Sequence, residues 1–177
     1  MKGECHGHII LDGCDFRNAL SAHKDQPNRN IIMERLQIYK ETGITFFRDG
    51  GDNLGVSLLA AKIAPSYGID YRTPAFAIYK SGNYGRFLGR PFSNRSEYRS
   101  LALQVLELGG DFIKIMASGI MDFSRYGVIT DGALTGMELA DMVDFAHSLG
   151  LAVMAHVNGD ENVRAAVAAG ADSVEHG

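Results

Sequence analysis

Five times along this chain a stretch with helical period ends in glycine, a short apolar run follows, and the run finishes on polar or charged residues. Gly43 precedes Ile44-Thr45-Phe46-Phe47-Arg48-Asp49, and Gly68 precedes a run through Pro74-Ala75-Phe76-Ala77-Ile78. Gly109-Gly110 lead to Phe112-Ile113-Lys114-Ile115-Met116, Gly150 to Leu151-Ala152-Val153-Met154-Ala155-His156, and Gly170 to Ala171-Asp172-Ser173-Val174-Glu175-His176. A glycine after a helix adopts the left-handed closing conformation at little cost. Short runs with no polar face suit parallel strands covered on both sides.

Between the runs, apolar residues recur on one helical face: Val56, Leu59, Ala60, Ile63 and Tyr67; then Leu139, Met142, Val143, Ala146 and Leu149; then Val163, Ala166 and Val167. With an opening run from Cys5 to Leu11, the pattern predicts six strands and five helices in alternation, hence a parallel α/β sheet. Polar residues at the C-terminal ends of several separate strands favour a (β/α)8 TIM-barrel type over a doubly wound sheet. Asp49-Gly50-Gly51-Asp52 is too short and too acidic for a dinucleotide-binding turn. A whole barrel runs to ~250 residues. The expectation for residues 1–177 is therefore a partial barrel holding about strands one to six, with strands seven and eight absent.

Composition narrows the function classes. The apolar fraction is 46% and the formal net charge −4, which disfavours nucleic acid and anionic membrane as partners. No apolar run approaches the ~20 residues of a membrane span. Met1-Lys2-Gly3-Glu4-Cys5-His6 lacks the apolar core of a secretion signal, so Cys5 and Cys14 are expected as reduced thiols and the chain as cytoplasmic.

The candidate chemistry lies at strand ends. His6-Gly7-His8 places two imidazoles on one strand face, able to converge on an ion, although a surface pair reads the same. Lys114 stands inside an apolar run, where lysine is rarely buried. It must meet a carboxylate, lose its proton or become carbamylated, unless the run is an edge strand and the ammonium reaches water. His156 and His176 close consecutive strands. Four imidazoles at strand ends, with a mid-strand lysine between them, suit zinc or a similar ion, which polarises a carbonyl and activates water.

These residues resemble the amidohydrolase superfamily, particularly its imidazolonepropionase-like and prolidase-like branch. The matching segments are Cys5 to His8, Thr42 to Gly51, Ile113 to Gly119, Ala155-His156 and Ala168 to Gly177. The resemblance implies that His6 and His8 bind the more buried metal and His156 and His176 the more exposed one. Lys114, as its carbamate, bridges them in two-metal members, while single-metal relatives do without the bridge. It also implies an eighth-strand Asp as general base and a small flanking β-sandwich, neither of them expected in these 177 residues.

The stretch 118–135 is long for a βα loop and reads as a lid, with Arg125 and Tyr126 placed to touch substrate. Bland roles suit the remainder. Arg48 and Asp49 are expected to pair and shape a turn, His147 to be a partly exposed structural residue, and Glu175 to face away from His176. His23 has no visible partner. The function expected is metal-dependent hydrolysis of C–N bonds in a small amide, dipeptide or cyclic amide by metal-activated water, impaired in this chain. The rival is a non-catalytic metal-holding half-barrel, a binding or assembly module completed by another chain. Either way, open sheet edges favour association with a second copy.

Overall fold

The computed structural model describes residues 2–177, so Met1 lies outside the described residues. The chain divides into two compact units, residues 1–76 and 77–177.

The first unit opens with β1 (Gly3–Gly7), α1 (Phe16–Ser21) and α2 (Arg29–Glu41). Next come β2 (Phe46–Asp49), α3 (Val56–Ile63), a 3₁₀ turn over Ala64–Tyr67, and β3 (Asp70–Arg72). The strands pair in parallel in the order β1-β2-β3. Phe47, fully buried, stacks on Tyr71 at 5.1 Å between ring centroids and meets the edge of Tyr39 at 4.7 Å, while Ile32 and Leu36 bury the inner face of α2. Helices α1 and α2 are capped by side chains, Asp15 accepting from the amides of Arg17 and Asn18 and Asn28 from those of Asn30 and Ile31, while Asp52, ahead of the Gly55 that opens α3, accepts from the amides of Leu54, Val56 and Ser57.

The second unit holds β4 (Ala77–Lys80), β5 (Gly89–Phe92), α4 (Arg95–Glu107) and β6 (Phe112–Met116). It continues through α5 (Gly136–Ser148), β7 (Ala152–Val157), α6 (Asp160–Ala168) and β8 (Ser173–His176). All five strands are parallel, in the order β5-β4-β6-β7-β8. Every residue of β6 is buried, as a central strand covered on both faces requires. Tyr98 of α4 donates to the Met142 carbonyl of α5 at 2.7 Å, and Thr135 with Glu138 forms the capping box that starts α5.

The alternating parallel pattern holds, with α1 as an additional helix ahead of α2 and four further departures. The opening strand ends at Gly7, because Ile9 and Ile10 enter a turn. The run from Gly68 to Ile78 is two strands in two sheets, divided where Ala75 takes a positive φ of 64°. The short strand β5 was not expected, since its Gly-Arg-Pro-Phe sequence has no apolar signal; at a sheet edge its proline is tolerated. Val167, expected inward, is 62% exposed, leaving Ala166 as the buried residue of α6. Cys5 and Cys14 are free and exposed, and no described helix is long and apolar enough to cross a membrane.

Candidate functional site

In the first unit His6 lies in β1 and His8 one residue past its end, with ring centroids 5.4 Å apart. The His8 ring fills the space beside Gly50 so closely that a Cβ there would come within 2.1 Å of it. Its Nδ1 faces the Gly51 carbonyl at 3.4 Å. A carbonyl only accepts, so that contact favours the proton on Nδ1 and the lone pair on Nε2.

Behind His8 stands Asp49, which sequence reasoning paired with Arg48. It is wholly buried instead and accepts from three donors: the Ile9 amide at 2.9 Å, the Gly51 amide at 2.6 Å and the Tyr71 hydroxyl at 2.5 Å. Burial pushes its pKa up to about 7, against the three hydrogen bonds and with help from nearby Asp52. Arg48 donates from Nε to the Cys5 carbonyl at 2.7 Å.

In the second unit Lys114 occupies the middle of β6, 1% exposed, in register with Ala77 on one side and Met154 on the other. The edge-strand reading is thereby excluded. His156 of β7 is 4% exposed, and its ring lies 4.7 Å from that of His176 at the end of β8. Partial burial and the Lys114 cation hold His176 below the usual imidazole range, with Glu175 opposing. Tyr84, from the β4–β5 connection, sits 5.2 Å from the His156 ring.

Three donors meet on the Gly119 carbonyl: Ser118 Oγ at 3.0 Å, Asn158 Nδ2 at 3.0 Å and His156 Nε2 at 3.2 Å. Ser118 Oγ also accepts from the Asn158 amide at 2.8 Å. Neither Ser118 nor Asn158 was singled out from sequence. Their shared acceptor is a backbone atom, which leaves no trace in residue identity.

The stretch 118–135 is a small hairpin rather than an open loop. Ile120 and Thr130 pair, Met121 bridges Ile129, and the Asp122 amide donates to Val128 at 2.7 Å. At its tip Phe123 and Tyr126 are fully exposed, and Arg125 is bound to Asp122 at 2.8 Å. Of the bland assignments, His147 is partly exposed and pairs with Asp172 at 2.8 Å. His23 differs from its expectation: it is 1% exposed, and its Nδ1 accepts from the Asn28 amide at 2.9 Å.

Among the described residues no group of three or more His, Cys, Asp and Glu side chains stands ready to hold an ion. The donors come instead as a histidine pair in the first unit and a histidine pair with a buried lysine in the second. Imidazole nitrogens with a nearby carbonyl partner fit a borderline metal such as zinc.

The fold is an α/β arrangement of parallel strands that matches solved amidohydrolase structures of the barrel type. A family model described as "Amidohydrolase family" matches residues 37–177, and the chain belongs to that family. None of the curated proteins matches it. One similar solved structure is an uncharacterized protein, 26% identical with a TM-score of 0.76, covering 100% of this chain and 48% of that one. A prolidase complexed with N-methylphosphonate-L-proline is 24% identical with a TM-score of 0.71 over the same shares, 100% and 48%. A Xaa-Pro dipeptidase with methionine bound in its active site is 20% identical with a TM-score of 0.71, over 99% of this chain and 47% of that one. The chain thus spans about half the length of these structures.

Proposed function

We propose that this chain carries the metal-binding part of a hydrolase that cleaves C–N bonds in dipeptides or small cyclic amides. The observation that supports it most directly is Lys114, buried in mid-strand beside the adjoining His156–His176 pair. An ammonium is costly to bury in the middle of a covered strand unless it is paired or chemically altered. As a carbamate its side chain ends in a carboxylate, a group that neighbouring metals hold well. The residues proposed as metal ligands are His6 and His8 within the first unit and, within the second, His156, His176 and carbamylated Lys114. A bound zinc or similar divalent ion supplies Lewis acidity and lowers the pKa of water.

The chain's own residues supply orientation. Asp49 holds the turn after His8 by its bonds to Ile9 and Gly51, and Ser118 and Asn158 hold the carbonyl that faces His156. Tyr84 offers a hydroxyl on a ring beside His156, and Arg125 with Tyr126 on the hairpin tip is proposed to meet substrate. The prolidase and dipeptidase neighbours support dipeptides as one substrate class to assay.

The test is elemental analysis of protein purified without chelator, with intact mass measured under bicarbonate and hydrolysis of Xaa-Pro dipeptides assayed alongside. One or two equivalents of metal and a CO2 adduct lost on Lys114→Ala are expected. Absence of metal even after reconstitution overturns the reading, and turnover that arises only when a second chain is added favours a metal-holding module completed by a partner.

A further inference from the structure

The network around the Gly119 carbonyl ties a candidate metal ligand to the hairpin. Its three nitrogen and oxygen atoms settle which protons are where. Gly119 O, His156 Nε2 and Asn158 Nδ2 form a nearly equilateral triangle with sides of 3.0, 3.2 and 3.3 Å. The two N–H bonds of a planar amide diverge by ~120°, so Asn158 cannot aim one at the carbonyl and the other at the imidazole. The carbonyl instead accepts from both, which protonates His156 at Nε2 and puts the ring's lone pair on Nδ1. Ser118 locks the arrangement, donating to the same carbonyl while accepting the Asn158 amide.

Gly119 is also the root of the hairpin. The Thr130 carbonyl lies where a Cβ of residue 119 would be, only 1.6 Å from that position, so the two hairpin arms close there and nowhere wider. The adjacent pairing of Ile120 with Thr130 runs both ways through backbone and Thr130 hydroxyl. On the far arm, the Ile129 side chain packs over Gly159, the residue after Asn158. The hairpin is therefore held at both arms by the segments that hold His156.

We propose that Ser118 and Asn158 are positioning residues which fix His156 through the Gly119 carbonyl, and that an ion bound at His156 tightens the 120–130 hairpin through the same carbonyl. The inference rests on the metal reading only for its second half. Ligand orientation by such outer partners is typically worth 10–100-fold in metal affinity. By linkage, whatever the hairpin contributes to metal affinity, the metal returns as hairpin protection.

The experiment uses the full chain, Asn158→Ala, Ser118→Ala and Ser118→Thr, with folding checked by circular dichroism. Co(II) is titrated by its visible absorption, the His156 tautomer is read by nitrogen NMR without metal, and amide exchange at Asp122 and Thr130 is followed with and without Co(II). Expected are an Nε2-protonated His156 in the parent chain, mixed tautomers in Asn158→Ala, and Co(II) affinity lowered about 10-fold or more in both alanine variants. Ser118→Thr should regain most of it. Cobalt should slow hairpin exchange in the parent but not in Asn158→Ala at saturation. Folded alanine variants with parental affinity, tautomer and protection overturn the proposal. If the parent binds no cobalt, the metal reading fails by itself and the hairpin coupling with it, while the tautomer spectra still decide the positioning role. If Asn158→Ala does not fold, the Ser118 pair carries the same comparison.

Discussion

His8 in the first unit and His156 in the second each turn a ring nitrogen toward a glycine carbonyl, Gly51 at 3.4 Å and Gly119 at 3.2 Å, yet the two anchors are built from opposite chemistry. Gly51 is held through its amide by the buried carboxyl group of Asp49, whereas Gly119 is held through its carbonyl by the neutral side chains of Ser118 and Asn158. A buried carboxyl can gather several donors at once, but its hold depends on pH. A hydroxyl and an amide gather fewer and carry no charge to desolvate.

The sharpest way to break this contrast is to remove the anchors. Asp49→Ala strips the acceptor from Ile9 N, Gly51 N and the Tyr71 hydroxyl together. At ~1–3 kcal/mol for each buried donor left unmet, urea denaturation should show a loss of ~3 kcal/mol or more. A loss below ~1 kcal/mol would mean that water replaces the carboxyl and the anchor is not dry.

A smaller effect separates the units by pH. Burial raises Asp49 from an ordinary 3.8 to about 7, so the folded chain keeps this proton after the unfolded chain has released it. The stability linked to it is fully present below ~4 and is lost as pH rises through about 7, at most ~4 kcal/mol. Asp49→Asn should flatten that slope, and Asn158→Ala should leave it unchanged. Equal slopes in the parent chain and Asp49→Asn would show that the carboxyl is already ionised at low pH.

The smallest effect is at the surface of the second unit. Burial works against ionisation of Asp172, but its bonds to His147 and to the Val153 amide outweigh it and lower its pKa. Its stabilising share is present above ~4 and is lost as pH falls below that. With both side chains more than 40% exposed, Asp172→Asn should cost at most ~1 kcal/mol in thermal or urea unfolding. A larger loss would mark the Val153 contact as the main bond.

The same division explains what could be read from sequence. Strands β6, β7 and β8 announce themselves as apolar runs after glycine, and Lys114, His156 and His176 stand out against them. The break at Ala75 is hidden because alanine rarely takes a left-handed backbone, and it does so here while its carbonyl accepts from Asp52 N and Ser57 Oγ. Asp49 was assigned to Arg48 because neighbours in sequence suggest a pair, whereas successive residues of a strand face opposite ways. Ser118 and Asn158 were passed over because their role runs through a main-chain oxygen. Polar residues next to a strand-end histidine are the signal that could have found them.

The hairpin tip has a consequence in the thermodynamics of association. Phe123 and Tyr126 project from a turn already fixed by Asp122, which accepts from the Ser124 amide and hydroxyl and from Arg125. A molecule that comes to rest on these rings need not freeze a loose loop first. The entropy surrendered is then mostly that of two aromatic side chains, each with few rotatable bonds, so even a small apolar contact area can count toward net affinity.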